Sequence, residues 1–362
     1  MPTPPQACPS LGDEVRLWSL PERAAQLIVV PSLDFNIASL SGPLTGGAGG
    51  VLFLGSTPAP TDLAARIRSA VVGAGPTEPP FVMADEEGGG VQRLAGAVSS
   101  IPWPRDLAAS YTTQAVRTLA ANVGSQMLRA GVGVDLAPVL DVDGGVGPSA
   151  ADPDGARSFS ARAPVAADYG TAFMSGLRDG GVFPVVKHFP GLGSSSGNTD
   201  VGPARTQPLA VLEQSGLVPF RAAITAGVPG VMVANASVPG LTSQPASLSS
   251  AVIQGLLEGE LGFKGLVLTD SLSAGAITQA GLTLDDAAVA AVQAGADMVL
   301  FGSTLTPADV RALSPDQVEA TFGSLVDALV SAVSSGKLPA QRLDDAVTHV
   351  LEAKRWPLCP TG

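Results

Sequence analysis

Short apolar segments alternate with amphipathic segments along most of the chain. The apolar segments are rich in Val, Leu and Ile. This alternation is typical of βα units whose strands form a parallel sheet. The pattern predicts eight strands, at residues 26–30, 50–54, 81–85, 131–136, 181–187, 230–234, 265–270 and 297–301.

Several of the segments between these strands carry helical signals. One face of the segment 113–130 holds Val116, Leu119, Val123 and Met127. Their spacing of three and four residues is that of an α-helix with one buried face.

A second helix is predicted ahead of the first strand. Ser19 and Glu22 have the spacing of a capping box, with Pro21 in the first turn. The tail, residues 314–356, is predicted to form further helix that packs outside the sheet.

Eight strands, each followed by a helix, close naturally into a (β/α)8 TIM-type barrel. We therefore expect one α/β barrel domain at residues 19–362, with extra C-terminal helices, and an N-terminal extension at residues 1–18. An open doubly wound sheet is the alternative architecture, but no G-x-G-x-x-G motif follows an early strand.

Charge narrows the range of partners. The formal net charge of −12 repels phosphate backbones and anionic membrane surfaces, so nucleic acid is not an expected ligand.

No apolar run approaches the roughly 20 residues that span a bilayer, and the first twenty residues lack a secretion-signal pattern. We expect a monomer with no membrane span.

The two cysteines, Cys8 and Cys359, lie near opposite ends of the chain. A disulfide between them would tie the ends together, and the alternative is two unrelated surface thiols. The disulfide hypothesis implies an extracytoplasmic protein, secreted or held at the cell envelope as a lipoprotein, whose signal segment is absent from this chain.

Charged residues stand at the ends of several predicted strands. The predicted strands end at, or are followed by, Asp85, Asp141, Lys187, His188 and Asp270. Long loops at 143–155 and 191–207 follow two of these strands. Active sites of α/β barrels form at this edge, although a single strand-end carboxylate often only caps a helix. Without a phosphate loop or a Cys/His metal pattern, the set suits a polyhydroxylated ligand such as a sugar. A Schiff-base role for Lys187 is the alternative.

Six motifs closely resemble the β-N-acetylhexosaminidase branch of glycoside hydrolase family 3. They are DEEGG at 85–89, DLAPVLDV at 135–142, ARSF at 156–159, KHFPG at 187–191, LTDSLS at 268–273 and AGADMVL at 294–300. Their order and spacing match that branch from about residue 20 to residue 350.

The resemblance implies a retaining glycosidase mechanism, with a carboxylate nucleophile and a second group that acts as acid and base. It places Asp270 at the nucleophile position. It also implies that Asp85, Arg157, Lys187 and His188 hold the hydroxyl groups of the sugar.

The chain departs from the family pattern at the acid/base loop. Leu192 replaces a histidine that follows the KHFPG motif, and Asn235 replaces another histidine. Residues 198–200 read Asn-Thr-Asp where the family has an Asp-x-His pair. The other histidine of the chain, His349, is expected to be an ordinary helix residue. Asp200 is then the remaining acid/base candidate, and its Ser- and Gly-rich loop predicts a solvent-exposed, ionised carboxylate.

The function that follows is a β-N-acetylglucosaminidase-like enzyme for GlcNAc-containing peptidoglycan fragments such as muropeptides, with hydrolysis impaired by the missing dyad. The alternative is a non-catalytic saccharide-binding pseudoenzyme with a receptor or regulatory role. A purely structural barrel ranks last, because it would leave the sugar-holding residues without a purpose. No metal, nucleotide or flavin signal is present, so no cofactor is expected.

Overall fold

The computed structural model of the protein describes residues 11–149, 152–302 and 313–355. Its strands are β1 (Ile28–Leu33), β2 (Gly50–Leu54), β3 (Phe81–Ala84), β4 (Glu86–Gly88), β5 (Val91–Gln92), β6 (Val134–Asp135), β7 (Phe183–Phe189), β8 (Gly230–Val233), β9 (Leu266–Ser271) and β10 (Met298–Leu300). Cys8 and Cys359 lie outside the described residues, so the disulfide stays a prediction.

Eight of these strands form a closed barrel in the order β1-β10-β9-β8-β7-β6-β3-β2, and every neighbouring pair is parallel. The predicted TIM-type barrel is confirmed. The short strands β4 and β5 form a separate antiparallel hairpin directly after β3. This hairpin was not predicted, because its few polar residues carry no hydrophobic period.

The first strand differs from its predicted bounds. Gln26 was placed in the strand, whereas it is the last residue of a helix, and the strand runs on through Pro31 to Leu33. The capping box is present, with the Glu22 amide donating to the Ser19 side chain. This capped helix reaches to Gln26, whose side-chain amide donates to the Gly47 carbonyl 2.9 Å away.

Helices surround the barrel. The α-helices are α1 (Leu11–Val15), α2 (Leu20–Gln26), α3 (Ser41–Thr45), α4 (Leu63–Ala74), α5 (Pro104–Ser110), α6 (Thr113–Arg129), α7 (Ala163–Asp179), α8 (Leu209–Gln214), α9 (Leu217–Thr225), α10 (Gly275–Thr278), α11 (Leu284–Ala294), α12 (Pro315–Ser334) and α13 (Ala340–Lys354). The described residues also include three short 3₁₀ segments (Ile37–Leu40, Gly155–Arg157 and Ala246–Leu248) and one π-helical segment (Ala251–Glu260). Within the described ranges, no helix combines the length and apolar character that a bilayer crossing requires.

The apolar residues form two main layers. The larger layer fills the space between the strands and the surrounding helices. The smaller layer fills the barrel itself, where alternate residues of successive strands meet: Val29, Leu52, Met83, Val134, Leu136, Phe183, Val185, Met232, Leu266, Leu268, Met298 and Leu300. The barrel is therefore packed solid, as this fold requires, and polar chemistry is confined to its ends.

Helix α13 lies across the N-terminal end of the barrel. Its Val350 and Ala353 join the interior layer, and the Lys354 ammonium donates to the Gln26 side chain 2.7 Å away. His349 lies 3.1 Å from Asp297, which directly precedes β10. The predicted C-terminal helices are thus present, although α13 closes one end of the barrel rather than packing only on its outside. His349 is at the end opposite to the strand-end charges and cannot join them.

Candidate active site

The segment after β3 turns sharply at the C-terminal end of the barrel. Asp85 follows the last residue of β3, and β4 and β5 fold back across the mouth. Gly88 and Gly89 make the turn with φ angles of 108° and 56°, a left-handed region that favours glycine. A side chain at residue 89 would also meet the Trp103 ring. The glycines of the motif therefore aim Asp85 and Glu87 into the mouth.

Glu87 is the centre of a buried charge network. It accepts two hydrogen bonds from the Arg157 guanidinium, at 2.8 and 2.9 Å, and its carboxylate lies 2.7 Å from the Lys187 ammonium. Lys187 also donates to Asp85 at 2.5 Å. Burial by itself would raise the pKa of Glu87, but the two neighbouring cations outweigh it and hold that pKa well below its ordinary value.

The two cations of this network stay charged. Burial disfavours the charged forms of Lys187 and Arg157, but the carboxylates around them outweigh that effect, and both pKa values are raised. The mouth of the barrel therefore carries two permanently charged cations, which line the same cavity as its carboxylates.

His188 is held by a carboxylate on the neighbouring strand connection. Its Nδ1 lies 2.7 Å from Asp141, and that carboxylate also accepts the Leu192 amide at 2.6 Å. Burial raises the pKa of Asp141 to about 7 and lowers the pKa of His188 to about 4. The imidazole is thus neutral near pH 7, and its orientation is fixed by Asp141.

Asp270 lies near the end of β9, half-buried at the mouth. Its carboxylate accepts the Ser271 amide at 2.7 Å. Burial raises its pKa, and the neighbouring negative charge of Asp200 adds to the increase while the Lys187 ammonium opposes it. Asn235 braces this strand end, because its side chain donates to the Ser271 carbonyl at 2.7 Å and accepts from the Ser247 hydroxyl at 2.6 Å.

The loop that carries Asp200 is docked against α10. Gly275 donates to the Asp200 carbonyl at 3.0 Å, and Ala276 donates to the Thr199 carbonyl at 2.9 Å. A side chain at residue 275 would meet the Asp200 and Val201 carbonyls, so glycine permits this close approach. The Asn198 side chain accepts the Asp200 amide at 2.9 Å and shapes the turn. Asp200 is half-buried rather than solvent-exposed as the sequence suggested, because tertiary docking folds its loop inwards.

One cavity brings together every predicted site residue. Its walls are Leu52, Asp85, Glu87, Leu136, Pro153, Arg157, Lys187, His188, Leu192, Asn198, Thr199, Asp200, Met232, Asp270 and Leu300. The top of the barrel's interior layer forms its apolar floor. Polar groups on one side and an apolar floor on the other suit a sugar ring, which has both kinds of face.

Sequence reasoning missed the role of Glu87. The residue stands inside the quoted DEEGG motif, but the sequence gives no sign that it joins Arg157 to Lys187. Leu192, at the position of a family histidine, is buried in a small apolar cluster with Ala204, Ala234 and Ala236. Of the residues that the structure describes, His188 is the one histidine in the cavity wall.

A second group of ligand-type side chains lies behind the cavity wall. Asp141, Asp154 and His188 each offer one donor atom, and these atoms lie within 4.8 Å of one another. Burial, followed by the neighbouring charge of Asp141, raises the pKa of Asp154 well above its ordinary value. Among the described residues this trio is a group that could hold a cation.

Replacing Glu87 with Gln should destabilise the fold, because Arg157 and Lys187 would lose their shared counter-charge inside the protein. We expect the free energy of unfolding to fall by about 3–5 kcal/mol, measured by urea denaturation. Glu260→Gln is the matched control, since Glu260 pairs with Arg221 at 2.9 Å on the exposed surface and should cost less than about 1 kcal/mol. Equal effects of the two substitutions would contradict the central place of Glu87.

Comparisons with known proteins agree with this architecture. Beta-hexosaminidase LpqI of Mycobacterium tuberculosis is 36% identical over 360 residues, which cover 97% of this chain and 86% of that protein. The crystal structure of a GH3-family glycosyl hydrolase from Mycobacterium smegmatis superposes with a TM-score of 0.82 at 35% identity, covering 94% of this chain and 98% of that one. A beta-N-acetylhexosaminidase from Beutenbergia cavernae superposes with a TM-score of 0.78 at 30% identity, covering 93% and 98%.

Residues 24–353 match the family described as the glycosyl hydrolase family 3 N terminal domain. That match spans the whole barrel, from α2 to α13, and therefore includes every residue of the charge network and of the cavity. The chain belongs to glycoside hydrolase family 3.

Proposed function

We propose that the protein is a retaining β-N-acetylglucosaminidase that removes terminal N-acetylglucosamine units, with Asp270 as nucleophile and Asp200 as acid/base. The observation that carries the proposal is that both carboxylates line one cavity with the sugar-holding set. Similarity to proteins named beta-hexosaminidase supports an amino-sugar substrate.

The half-buried Asp270 carboxylate is suited to attack the anomeric carbon. The braces on its strand end, Asn235 and the Ser271 amide, limit its movement. Attack displaces the leaving oxygen, which Asp200 protonates, and forms a covalent glycosyl-enzyme. Asp200 then removes a proton from water, which attacks the same carbon and releases the sugar with its configuration retained.

The sugar-holding residues act through charge-assisted hydrogen bonds. Asp85 and Lys187, 2.5 Å apart, present an acceptor and a donor that match neighbouring hydroxyl groups. Neutral His188 offers Nε2 to another hydroxyl when Nδ1 donates to Asp141. Because these groups are already ordered by Glu87 and Asp141, sugar binding requires little rearrangement.

An aspartate acid/base is shorter than the imidazole that the family resemblance implies, so we propose that natural saccharides, whose alkoxide leaving groups need protonation, turn over slowly. The context we propose is hydrolysis of peptidoglycan fragments by an extracytoplasmic monomer. Cys8 and Cys359 support the compartment through their expected disulfide. The monomer is supported by the site itself, since one chain supplies all of its walls.

Removing the Asp200 carboxylate should separate the two chemical steps. With a 4-nitrophenyl β-N-acetylglucosaminide, Asp200→Gly should reduce turnover on the order of 100-fold to 10,000-fold, and sodium azide should restore much of it. Azide needs no general base, so it accelerates breakdown of the glycosyl-enzyme and yields the β-glycosyl azide. The assay follows nitrophenolate absorbance, with product stereochemistry read by NMR.

Asp270→Asn is the companion variant, and it should give no β-glycosyl azide while still gaining thermal stability from N-acetylglucosamine. Azide acceleration of the wild type to the same extent as Asp200→Gly would contradict the role of Asp200. No aryl release by the wild type, together with a rise in Tm on adding N-acetylglucosamine, would favour the non-catalytic binding protein instead.

The pH profile should report the environment of Asp270. The nucleophile works only when ionised, and its pKa is raised, so kcat/KM should fall on the acid side at a higher pH than an ordinary aspartate would give. Asp200→Asn removes a neighbouring negative charge and should shift this acid limb to lower pH, measured with a dinitrophenyl glycoside that needs no acid. An unchanged acid limb would show that the two carboxylates do not interact.

Substitution at Gly275 should displace the acid/base loop. A methyl group at residue 275 would push on the Asp200 and Val201 carbonyls, so Gly275→Ala should lower kcat by about tenfold or more for leaving groups that require protonation. The effect should shrink with dinitrophenyl leaving groups. Gly73→Ala on α4, where the space is open, is the matched control and should leave kcat unchanged. An equal loss with both leaving groups would mean that the loop does not position the acid.

A further inference from the structure

Asp141, Asp154 and His188 form a buried cluster beside the sugar cavity. We propose that these three side chains bind one divalent first-row transition-metal cation behind the wall of the sugar cavity. Their donor atoms lie within 4.8 Å of one another, and all three residues are buried. Two ligands about 2.0–2.2 Å from the same ion lie about 3–4 Å apart, so small side-chain shifts close the site.

Asp154 is the residue that requires an explanation. Its side chain is fully buried, and neither carboxylate oxygen has a hydrogen-bond partner. The Arg157 guanidinium is 3.7 Å from it, beyond hydrogen-bonding distance, and is already engaged by Glu87 and the Pro153 carbonyl. Buried carboxylates in proteins are nearly always paired, hydrogen-bonded or bound to a metal. Here the structure supplies no hydrogen bond to the Asp154 side chain and only a long ion pair with a guanidinium that other groups already engage.

The charge balance of the surroundings favours a cation. Among the described residues, the carboxylates Asp85, Glu87, Asp141 and Asp154 outnumber the cations Lys187 and Arg157. Glu87 and Asp85 form direct ion pairs with those two cations. Within the described part of the chain, Asp141 and Asp154 have no Lys or Arg within hydrogen-bonding distance, so a cation at the point where the three donor atoms converge would displace the protons that burial retains on them and supply their counter-charge.

The donor set selects the class of ion. Two carboxylates and one imidazole suit Mn²⁺, Zn²⁺ or Fe²⁺, whereas Mg²⁺ and Ca²⁺ prefer oxygen ligands alone. Binding would involve Nδ1 of His188, which lies 2.7 Å from Asp141. With Nδ1 on the ion, Nε2 carries the ring proton and presents a donor to the cavity instead of an acceptor. The ion would thus change which hydroxyl contacts His188 can make.

The three residues are far apart in sequence and follow no metal-binding motif, which is why sequence analysis predicts no metal. Asp141 follows β6, Asp154 precedes the 3₁₀ turn Gly155–Arg157, and His188 is within β7. Only closure of the barrel places them side by side.

The test is titration of untagged, chelator-treated protein with Mn²⁺, followed by the loss of the EPR signal of free Mn²⁺. Mn²⁺ is chosen because thiolates bind it poorly compared with Zn²⁺, so the readout is the same whether Cys8 and Cys359 are oxidised or reduced. The wild type should bind one ion per chain and gain thermal stability. Asp154→Asn should weaken the affinity for Mn²⁺ at least tenfold. Asp168→Asn, which removes an exposed carboxylate on α7, is the matched control and should keep the wild-type affinity. Mg²⁺ at the same concentration should not compete.

Stability without metal provides the second readout. Because Asp154 has no hydrogen-bond partner to lose, Asp154→Asn without metal should be as stable as the wild type or more stable. A lower Tm for this variant would indicate a structural contact and overturn the proposal. So would the absence of Mn²⁺ binding by the wild type at millimolar concentration, or equal binding by the wild type and Asp154→Asn. Neither readout depends on glycosidase activity.

Discussion

The buried carboxylate of Glu87, which bridges Arg157 and Lys187, is the interaction on which the site depends. It joins the hairpin after β3, the 3₁₀ turn before residue 158 and strand β7, three segments that are far apart along the chain. Charges buried in this way are stable only when all partners are in place. Pairing therefore fixes the mouth of the barrel in one arrangement before any ligand arrives.

The same burial shapes the chemistry around it. Low polarity raises the pKa of Asp270 and of Asp141 and lowers that of His188, so neutral and charged groups lie side by side in and behind the cavity wall. In the proposed mechanism one carboxylate attacks while another group transfers protons, so the environments of Asp270 and Asp200 have to differ. In this chain a docked loop brings Asp200 to the cavity, where the family resemblance implied a histidine dyad.

Asp154 is connected to the sugar site through two neighbours. It lies beside Arg157, which supports Glu87, and beside the Asp141–His188 pair, which faces the cavity. A change of charge at Asp154 would therefore alter the electrostatic environment of the proposed sugar-holding residues. The proposed cation site and the proposed catalytic site share His188, so occupation of one would alter the hydrogen-bonding character of the other.

The sequence alone determined the barrel and most of its mouth. Apolar strands repeated between amphipathic helices leave few alternatives for burying the core, and motif residues such as Asp85 and Asp270 fall at strand ends by local pattern. Tertiary structure decided the rest. The bridging by Glu87, the inward docking of Asp200 against Gly275, and the meeting of Asp154 with Asp141 are contacts between distant segments. No local periodicity encodes such contacts, because they exist only when the closed barrel sets the distances between strand ends.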